Sequence, residues 1–251
     1  MEGQIPTKRI IVLPVFNEEA ALEREFEKLQ DKAGLVIMVD DGSTDKTGEI
    51  AEKISDKCQS VRLIRLDRNM GKSHALSVAF GEILKMKSRG EVGGEDLVIS
   101  TDADGQLPPE AIDEAVLYFY AEKMELLIGM RDFAKYPFIK RLGNRILSFI
   151  AAVLTGFPFR DTQCGFRIFT VDALERMLPY YRARGYACEQ EISIIGAMIG
   201  LKMDNSFSIK PVYYRSNSTF YDAFQIAADS LATYVRVRLG HKNTGGGGGN
   251  E

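Results

Sequence analysis

Val98-Ile99-Ser100-Thr101-Asp102-Ala103-Asp104-Gly105-Gln106 is an apolar run that ends in two carboxylates one residue apart. Such a run reads as a buried strand, and along an extended backbone residues i and i+2 point to the same side. Asp102 and Asp104 are therefore expected to converge at a strand's carboxyl end, where open α/β sheets hold their ligands. Two hard oxygen ligands in that position suit Mg²⁺ or Mn²⁺ carrying a diphosphate. Asp-x-Asp alone describes a solvated loop equally well, so its surroundings must decide.

Those surroundings alternate β-branched apolar runs with helical patterns. Strands are expected at Arg9–Val15, Gly34–Val39, Val61–Leu66, Asp96–Thr101 and Leu126–Met130. Helices are expected between them at Glu18–Lys32, Thr44–Lys57, Ser73–Met86 and Pro109–Glu122. This βαβα order argues a mainly parallel sheet covered on both faces. After Arg131 the rhythm changes to a helix at Ile139–Leu154, a strand near Phe166–Thr170, a helix at Glu189–Ile199, a strand at Phe207–Tyr214 and a last helix at Tyr221–Arg238. In that last helix Phe224, Ala227, Ala228, Leu231, Tyr234 and Val235 share one face. Residues 1–243 read as one domain, and 244–251 as a Gly-rich disordered tail with nothing to bury.

A chain of 251 residues with 45% hydrophobic and 27% charged residues can bury a full core as a single soluble domain. Its net charge of −3 gives no drive toward nucleic acid. Three scattered cysteines and two distant histidines lack metal spacing and fit a reducing compartment. No secretory apolar region is seen at the N-terminus, and the longest apolar stretch, Ile146–Phe159, is too short and broken to span a bilayer. That stretch can still lie on a membrane surface, or pack in a core.

The other strand ends carry polar turns. In Leu13-Pro14-Val15-Phe16-Asn17-Glu18-Glu19, Asn17 suits a helix N-cap and the glutamates its first turn. In Val39-Asp40-Asp41-Gly42-Ser43-Thr44-Asp45, Gly42 permits a tight turn and Ser43 can cap a helix. The aspartates there are ordinary turn chemistry or acceptors for a base N–H or ribose hydroxyls. Asn69-Met70-Gly71-Lys72-Ser73 is not a P-loop, because Asp67 stands where its first glycine belongs, yet a glycine turn with a lysine can contact phosphate.

Taken in order, Pro14–Glu18, Val39–Asp45, Asn69–Lys72, Asp102–Gln106 and Asp161-Thr162-Gln163-Cys164-Gly165-Phe166-Arg167 resemble glycosyltransferase family 2, the inverting nucleotide-sugar enzymes. The resemblance covers roughly residues 9 to 220. Asp-Ala-Asp-Gly-Gln and Cys-Gly-Phe-Arg look most like the polyprenyl-phosphate (dolichol-phosphate) mannosyl- and glucosyltransferases within it. The resemblance implies the GT-A fold, a Rossmann-like three-layer α/β/α arrangement. It implies that Pro14, Phe16, Glu18 and Asp40 frame the nucleoside and that Lys72 meets the donor. Asp102, Asp104 and Gln106 would hold Mg²⁺ or Mn²⁺ and the donor diphosphate. The donor would be GDP-mannose or UDP-glucose and the acceptor a polyprenyl phosphate. The enzyme would sit peripherally on the cytoplasmic face of a membrane, with a membrane-anchoring protein as a partner.

An acceptor phosphate calls for cations. Arg131 follows the fifth strand, and Arg145 and Ser148 lie three apart on the next helix, a spacing that shares a face, where similar enzymes place an arginine pair and a serine; Lys140, Arg141 and Arg145 also read as a solvated basic face. A hydroxyl acceptor would instead need a carboxylate base, with Asp161, Glu189 and Glu191 as candidates. A phosphate acceptor is already ionised, its second pKa being about 6, and Asp161 would then organise Arg167 or the metal site. Arg215 is the arginine that similar enzymes carry in a loop reaching the diphosphate. The following Ser216-Asn217-Ser218-Thr219-Phe220 departs from many dolichol-phosphate mannosyltransferases. The Gln-x-x-Arg-Trp motif of processive members is absent, since the chain has no Trp. Two other readings are a family member acting on a sugar or protein hydroxyl and a non-catalytic nucleotide-sugar-binding subunit.

Overall fold

The computed structural model describes residues 7–105, 108–133, 136–182, 185, 187–210 and 220–244. In chain order the strands are β1 (Arg9–Val15), β2 (Leu35–Asp40), β3 (Val61–Arg65), β4 (Leu97–Ser100), β5 (Leu126–Ile128), β6 (Met130–Arg131), β7 (Arg167–Thr170), β8 (Met203–Asp204) and β9 (Ser208–Ile209). The helices are α1 (Leu22–Leu29), α2 (Thr47–Lys57), α3 (Lys72–Ser88), α4 (Glu110–Ala121), α5 (Phe138–Thr155), α6 (Val171–Met177), α7 (Cys188–Met198) and α8 (Phe220–Thr244). The main sheet runs β3-β2-β1-β4-β7-β5-β8, and β6 pairs with β9 beside it. Only β7 opposes the others in the main sheet, since it is antiparallel to both β4 and β5 while the remaining pairs are parallel.

Strand alternation sorts the core into two halves. Ile10, Val12, Ile37, Val39 and Val98 face α3, α6 and α7, whereas Ile11, Leu13, Val36, Met38 and Ile99 face α1, α2 and α4. The strands therefore bury both faces, which is why they read as unbroken apolar runs rather than alternating ones. Each fully buried Val, Leu or Ile contributes about 1.5–3 kcal/mol. The chain order reverses between β1 and β4, the crevice where such sheets bind ligands.

The structure corrects several boundaries. α1 starts at Leu22, not Glu18, because the preceding residues are tied to the second strand end. The Asn17 and Ser43 side chains are not helix caps there. Asn17 has φ +53° and its Oδ1 accepts from Thr44 N at 2.9 Å, while Ser43 Oγ accepts from Asn17 N at 3.0 Å. The fifth strand stops at Ile128 and resumes as β6, with Gly129 packed so closely on Ile209 that a Cβ would lie 2.3 Å from its Cδ1. The sequence reading missed β8 and α6, the latter capped by Thr170 Oγ1 accepting from Ala173 N at 3.0 Å. The expected strand Phe207–Tyr214 is seen as Ser208–Ile209, its last four residues lying outside the described ones, as does 245–251 of the expected tail. α8 runs on through Thr244.

Candidate active site

The carboxyl ends of β1, β2 and β4 meet at the crevice. Pro14 is partly buried, Phe16 exposes its ring, and Glu18 is half-buried with its N–H donating to Thr47 Oγ1 at 2.8 Å. Asp40 is fully buried, and its carboxylate accepts from Ser43 N at 3.0 Å and Arg65 Nε at 3.3 Å. The carboxylate of which a nucleoside contact was expected is thus held within the turn. Asp41 reaches the third strand end, accepting from Met70 N at 2.8 Å and Gly71 N at 2.7 Å. Gly42, at φ +68°, lets this turn press on Arg68, whose main chain would lie 2.4 Å from a Cβ.

β4 ends at Ser100, so Asp102 and Asp104 lie on the turn that follows and not on extended strand. Ala103 between them is buried in the core, and both acids are partly exposed. Asp102, whose side chain is 40% exposed, forms an ion pair with the Lys72 ammonium at the start of α3. Lys72 Nζ also lies 2.6 Å from Glu189 Oε1 at the start of α7. Burial alone would pull the ammonium down, but Asp102 and then Glu189 outweigh it and set Lys72 well above the usual lysine range. Burial pushes the Glu189 carboxyl up, and Lys72 and Arg167 overcome that to hold it at about 2. The Cys188 thiol donates to Glu189 Oε2 at 2.8 Å.

Gly165 makes room for this cluster, because a Cβ there would lie 2.4 Å from Asp102 Oδ2 and 3.3 Å from Lys72 Nζ. Mg²⁺ is held through one or two carboxylates plus substrate phosphates, and the partly exposed Asp102 and Asp104, two residues apart, would fit that donor set. Such a cation would neutralise charge building on a departing diphosphate. No group of three acidic, histidine or cysteine ligands occurs among the described residues. Gln106 and Arg215, expected at the metal and the diphosphate, lie outside the described residues.

Asp161 is fully buried, and its two oxygens hold Arg131, from Nε at 2.8 Å and Nη2 at 2.9 Å. Its oxygens also accept from Arg131 N and Gln163 N, each at 3.1 Å. The residue that Asp161 organises is therefore Arg131, not Arg167 or the metal pair. Burial would lower Arg131, and Asp161 outweighs it to hold the guanidinium above the usual arginine range. Arg167 is buried among carbonyls, donating to Thr162 O at 2.8 Å and Glu189 O at 2.7 Å. Glu189 and Glu191 point to opposite sides, as helical spacing requires: Glu191 takes Arg236 Nη2 at 2.7 Å from α8.

Arg145 and Ser148, expected to share a face, differ in exposure. Arg145 is exposed, while Ser148 is buried with its hydroxyl 3.3 Å from Thr162 Oγ1. The inward face of α5 is Asn144, Leu147, Ser148 and Ala151, and Arg141 sits on the same stripe two turns before Ser148. Among the described residues, Arg141 Nε and both polar atoms of the Asn144 amide are buried without a hydrogen-bond partner. Arg141 and Asn144 are candidate site residues that the sequence reading did not single out. Their signal was the i, i+3, i+7 spacing, which selects Arg141 over Arg145.

The outward face of α5 is apolar: Ile139, Leu142, Ile146, Phe149 and Val153 are exposed. α8, which packs on α5, is turned the same way. Phe224, Leu231, Val235 and Leu239 face outward, and Ile226, Ser230, Thr233 and Val237 face inward. Of the residues expected to share one face, Phe224, Leu231 and Val235 are exposed, and Ser230 and Thr233 lie inside. Ser230 Oγ accepts from Gln190 Nε2 at 2.9 Å, and Thr233 Oγ1 donates to Glu191 Oε1 at 3.2 Å. No helix among the described residues is long and apolar enough to cross a membrane.

The mostly parallel sheet between helices is the GT-A architecture. It superposes on the crystal structure of glucosyl-3-phosphoglycerate synthase from Mycobacterium tuberculosis with Mn²⁺, UDP and phosphoglyceric acid at a TM-score of 0.68. That match has 17% identity and covers 92% of this chain and 79% of the other. An uncharacterized protein of Methanocaldococcus jannaschii is 31% identical over 210 residues, 81% of each chain. The UDP-N-acetylglucosamine–dolichyl-phosphate N-acetylglucosaminyltransferase of Methanococcus voltae is 29% identical, over 81% of this chain and 85% of its own. The undecaprenyl-phosphate 4-deoxy-4-formamido-L-arabinose transferase of Pseudomonas paraeruginosa is 31% identical over 67% of this chain, which spans 48% of that protein. The family model for glycosyl transferase family 2 matches residues 10–178, from β1 through the Cys-Gly-Phe-Arg segment, and the chain belongs to that family.

Proposed function

We propose that this glycosyltransferase moves one sugar from a nucleotide diphosphate sugar to a polyprenyl phosphate at a membrane face. The observation that carries the reading is the outward apolar surface of α5 and α8, with the unpaired polar atoms of Arg141 and Asn144 on the opposite side of α5. Isoprenoid chain would lie along the apolar surface, and the phosphate would enter toward Arg131 and Arg141. Arginine forks suit its oxygens. The names of the Methanococcus and Pseudomonas relatives, both transferases to a polyprenyl phosphate, support the same acceptor.

On the donor side, Phe16 offers a ring for the base, and Asp102, Asp104 and Lys72 surround the diphosphate. Mg²⁺ or Mn²⁺ would be held by the two aspartates, with Gln106 as a third ligand. Arg215 would approach the diphosphate. The acceptor oxygen attacks the anomeric carbon, the bond to the diphosphate breaks, and the nucleoside diphosphate leaves with the electron pair. A single displacement inverts the configuration. No strong base is needed, because the phosphate is already ionised at neutral pH, its second pKa being about 6. Positioning and electrostatics carry the rate. Asp161 fits this scheme better than a proton acceptor's role, since Arg131 and two main-chain N–H groups occupy its oxygens.

Mannose and glucose were expected from the sequence, and N-acetylglucosamine joins them through the Methanococcus relative. The test is to incubate the purified chain with polyprenyl phosphate, Mn²⁺ or Mg²⁺, and UDP-N-acetylglucosamine, UDP-glucose or GDP-mannose separately. Mass spectrometry of the lipid should show a gain of one sugar with a single donor. Sugar released to water, with the lipid unchanged under every donor, would contradict the acceptor.

A further inference from the structure

We infer that Glu189 is a positioning residue that shares the Lys72 ammonium with Asp102. Asp102 can then pass to a divalent cation carrying the donor diphosphate while Lys72 stays in the site. The inference rests on Asp102 being a cation ligand.

Lys72 Nζ touches both carboxylates at once, pairing with Asp102 and lying 2.6 Å from Glu189 Oε1. The two acids are not equivalent. Asp102 sits on the turn after β4 and is 40% exposed, whereas the Glu189 side chain is 10% exposed on the first turn of α7. Glu189 is fixed from two sides, by the Cys188 thiol on Oε2 and by Arg167 Nη2 on its carbonyl at 2.7 Å. A cation arriving at Asp102 competes with Lys72 for its carboxylate. With Asp102 as its only counterion, the lysine would be left as an unpaired, largely enclosed charge, which is costly. Glu189 removes that cost by keeping Lys72 paired.

Mn²⁺ binding to the full chain, followed by electron paramagnetic resonance of the free ion, tests this without turnover. In E189Q, Lys72 falls wholly to Asp102, and Mn²⁺ should bind about tenfold more weakly, a coupling typical of one ion-pair network. K72M, which removes the competitor, should bind Mn²⁺ more tightly than wild type. In the K72M background E189Q should have a much smaller effect. Equal losses from E189Q in both backgrounds would make Glu189 a bare negative charge and overturn the inference, as would weaker binding in K72M. Should E189Q not fold, E189D, which keeps the carboxylate but shortens its reach to Lys72, takes its place: weaker Mn²⁺ binding than wild type supports the inference, and unchanged binding overturns it. D102N separates the underlying reading: it should abolish Mn²⁺ binding, and wild-type binding by D102N would remove Asp102 as the ligand and the inference with it.

Discussion

Asp161 grips Arg131 edge-on, carboxylate fully buried and guanidinium 24% exposed, with the two groups paired at 2.8 and 2.9 Å. Two further contacts aim the cation, whose centre lies 5.4 Å from the Phe133 ring and 5.7 Å from that of Tyr136. An arginine held in this way loses little freedom on meeting a phosphate.

Asp161→Asn puts an amide N–H against the guanidinium and leaves Arg131 without its counter-charge. Breaking a buried pair from one side costs about 3–5 kcal/mol, and the partial exposure of Arg131 reduces the expectation to about 2–3 kcal/mol. Urea unfolding checks that loss. In turnover, the KM for lipid should rise more than the KM for donor, with the shape of the pH profile kept. Disappearance of an acid limb from the profile would return Asp161 to the role of base.

Acid should act through Glu189. Its folded pKa of about 2 lies below its ordinary 4.5, so it binds fewer protons folded than unfolded. The stability it contributes is therefore complete above pH 4.5 and is lost as pH falls toward 2. Glu189→Gln should flatten the stability curve across that window, as measured by denaturant unfolding at a series of pH values. A curve with the wild-type slope there would contradict the assignment.

Arg141→Ala and Arg145→Ala should differ, because Arg141 shares the inward stripe with Ser148 and Arg145 faces solvent. Loss of a charge-assisted contact is worth about 1.5–3 kcal/mol. The KM for polyprenyl phosphate should accordingly rise at least tenfold in Arg141→Ala and by less than threefold in Arg145→Ala. Steady-state kinetics with varied lipid at saturating donor give both values, and the reverse ranking would restore Arg145 as the phosphate ligand.

Phe149→Ser combined with Leu231→Ser removes apolar area from the exposed faces of α5 and α8. Surface changes of this kind shift stability by about 0.5 kcal/mol or less. Partition onto anionic vesicles should fall at least tenfold, since burying such a side chain is worth about 1.5–3 kcal/mol. Co-sedimentation measures it. Unchanged partition would assign this surface to something other than lipid.

Most of the sheet was legible because buried parallel strands are unbroken apolar runs, so Arg9–Val15 was read at its observed limits. The failures come from contacts remote in sequence. Asn17 looks like a helix cap until the turn at 43–47 claims it. The orientation of α8 could not be read from its apolar stripe, because the inward positions Ser230 and Thr233 are justified only by Gln190 and Glu191 on α7. The Asp102–Asp104 pair was legible as chemistry, yet its Lys72–Glu189 partner set joins residues over a hundred positions apart. Arg145 and Ser148 were paired by family resemblance and a three-residue spacing, and neither tells which stripe of α5 faces inward.

The most direct test of the account is phosphorus-31 magnetic resonance of one reaction containing the chain, polyprenyl phosphate, Mn²⁺-free Mg²⁺ buffer and the active donor. The account predicts that the lipid monoester signal gives way to a diester as nucleoside diphosphate appears in equal amount, and that neither change occurs with Asp104→Ala. Nucleoside diphosphate accumulating while the monoester signal stays intact would contradict transfer to the lipid phosphate.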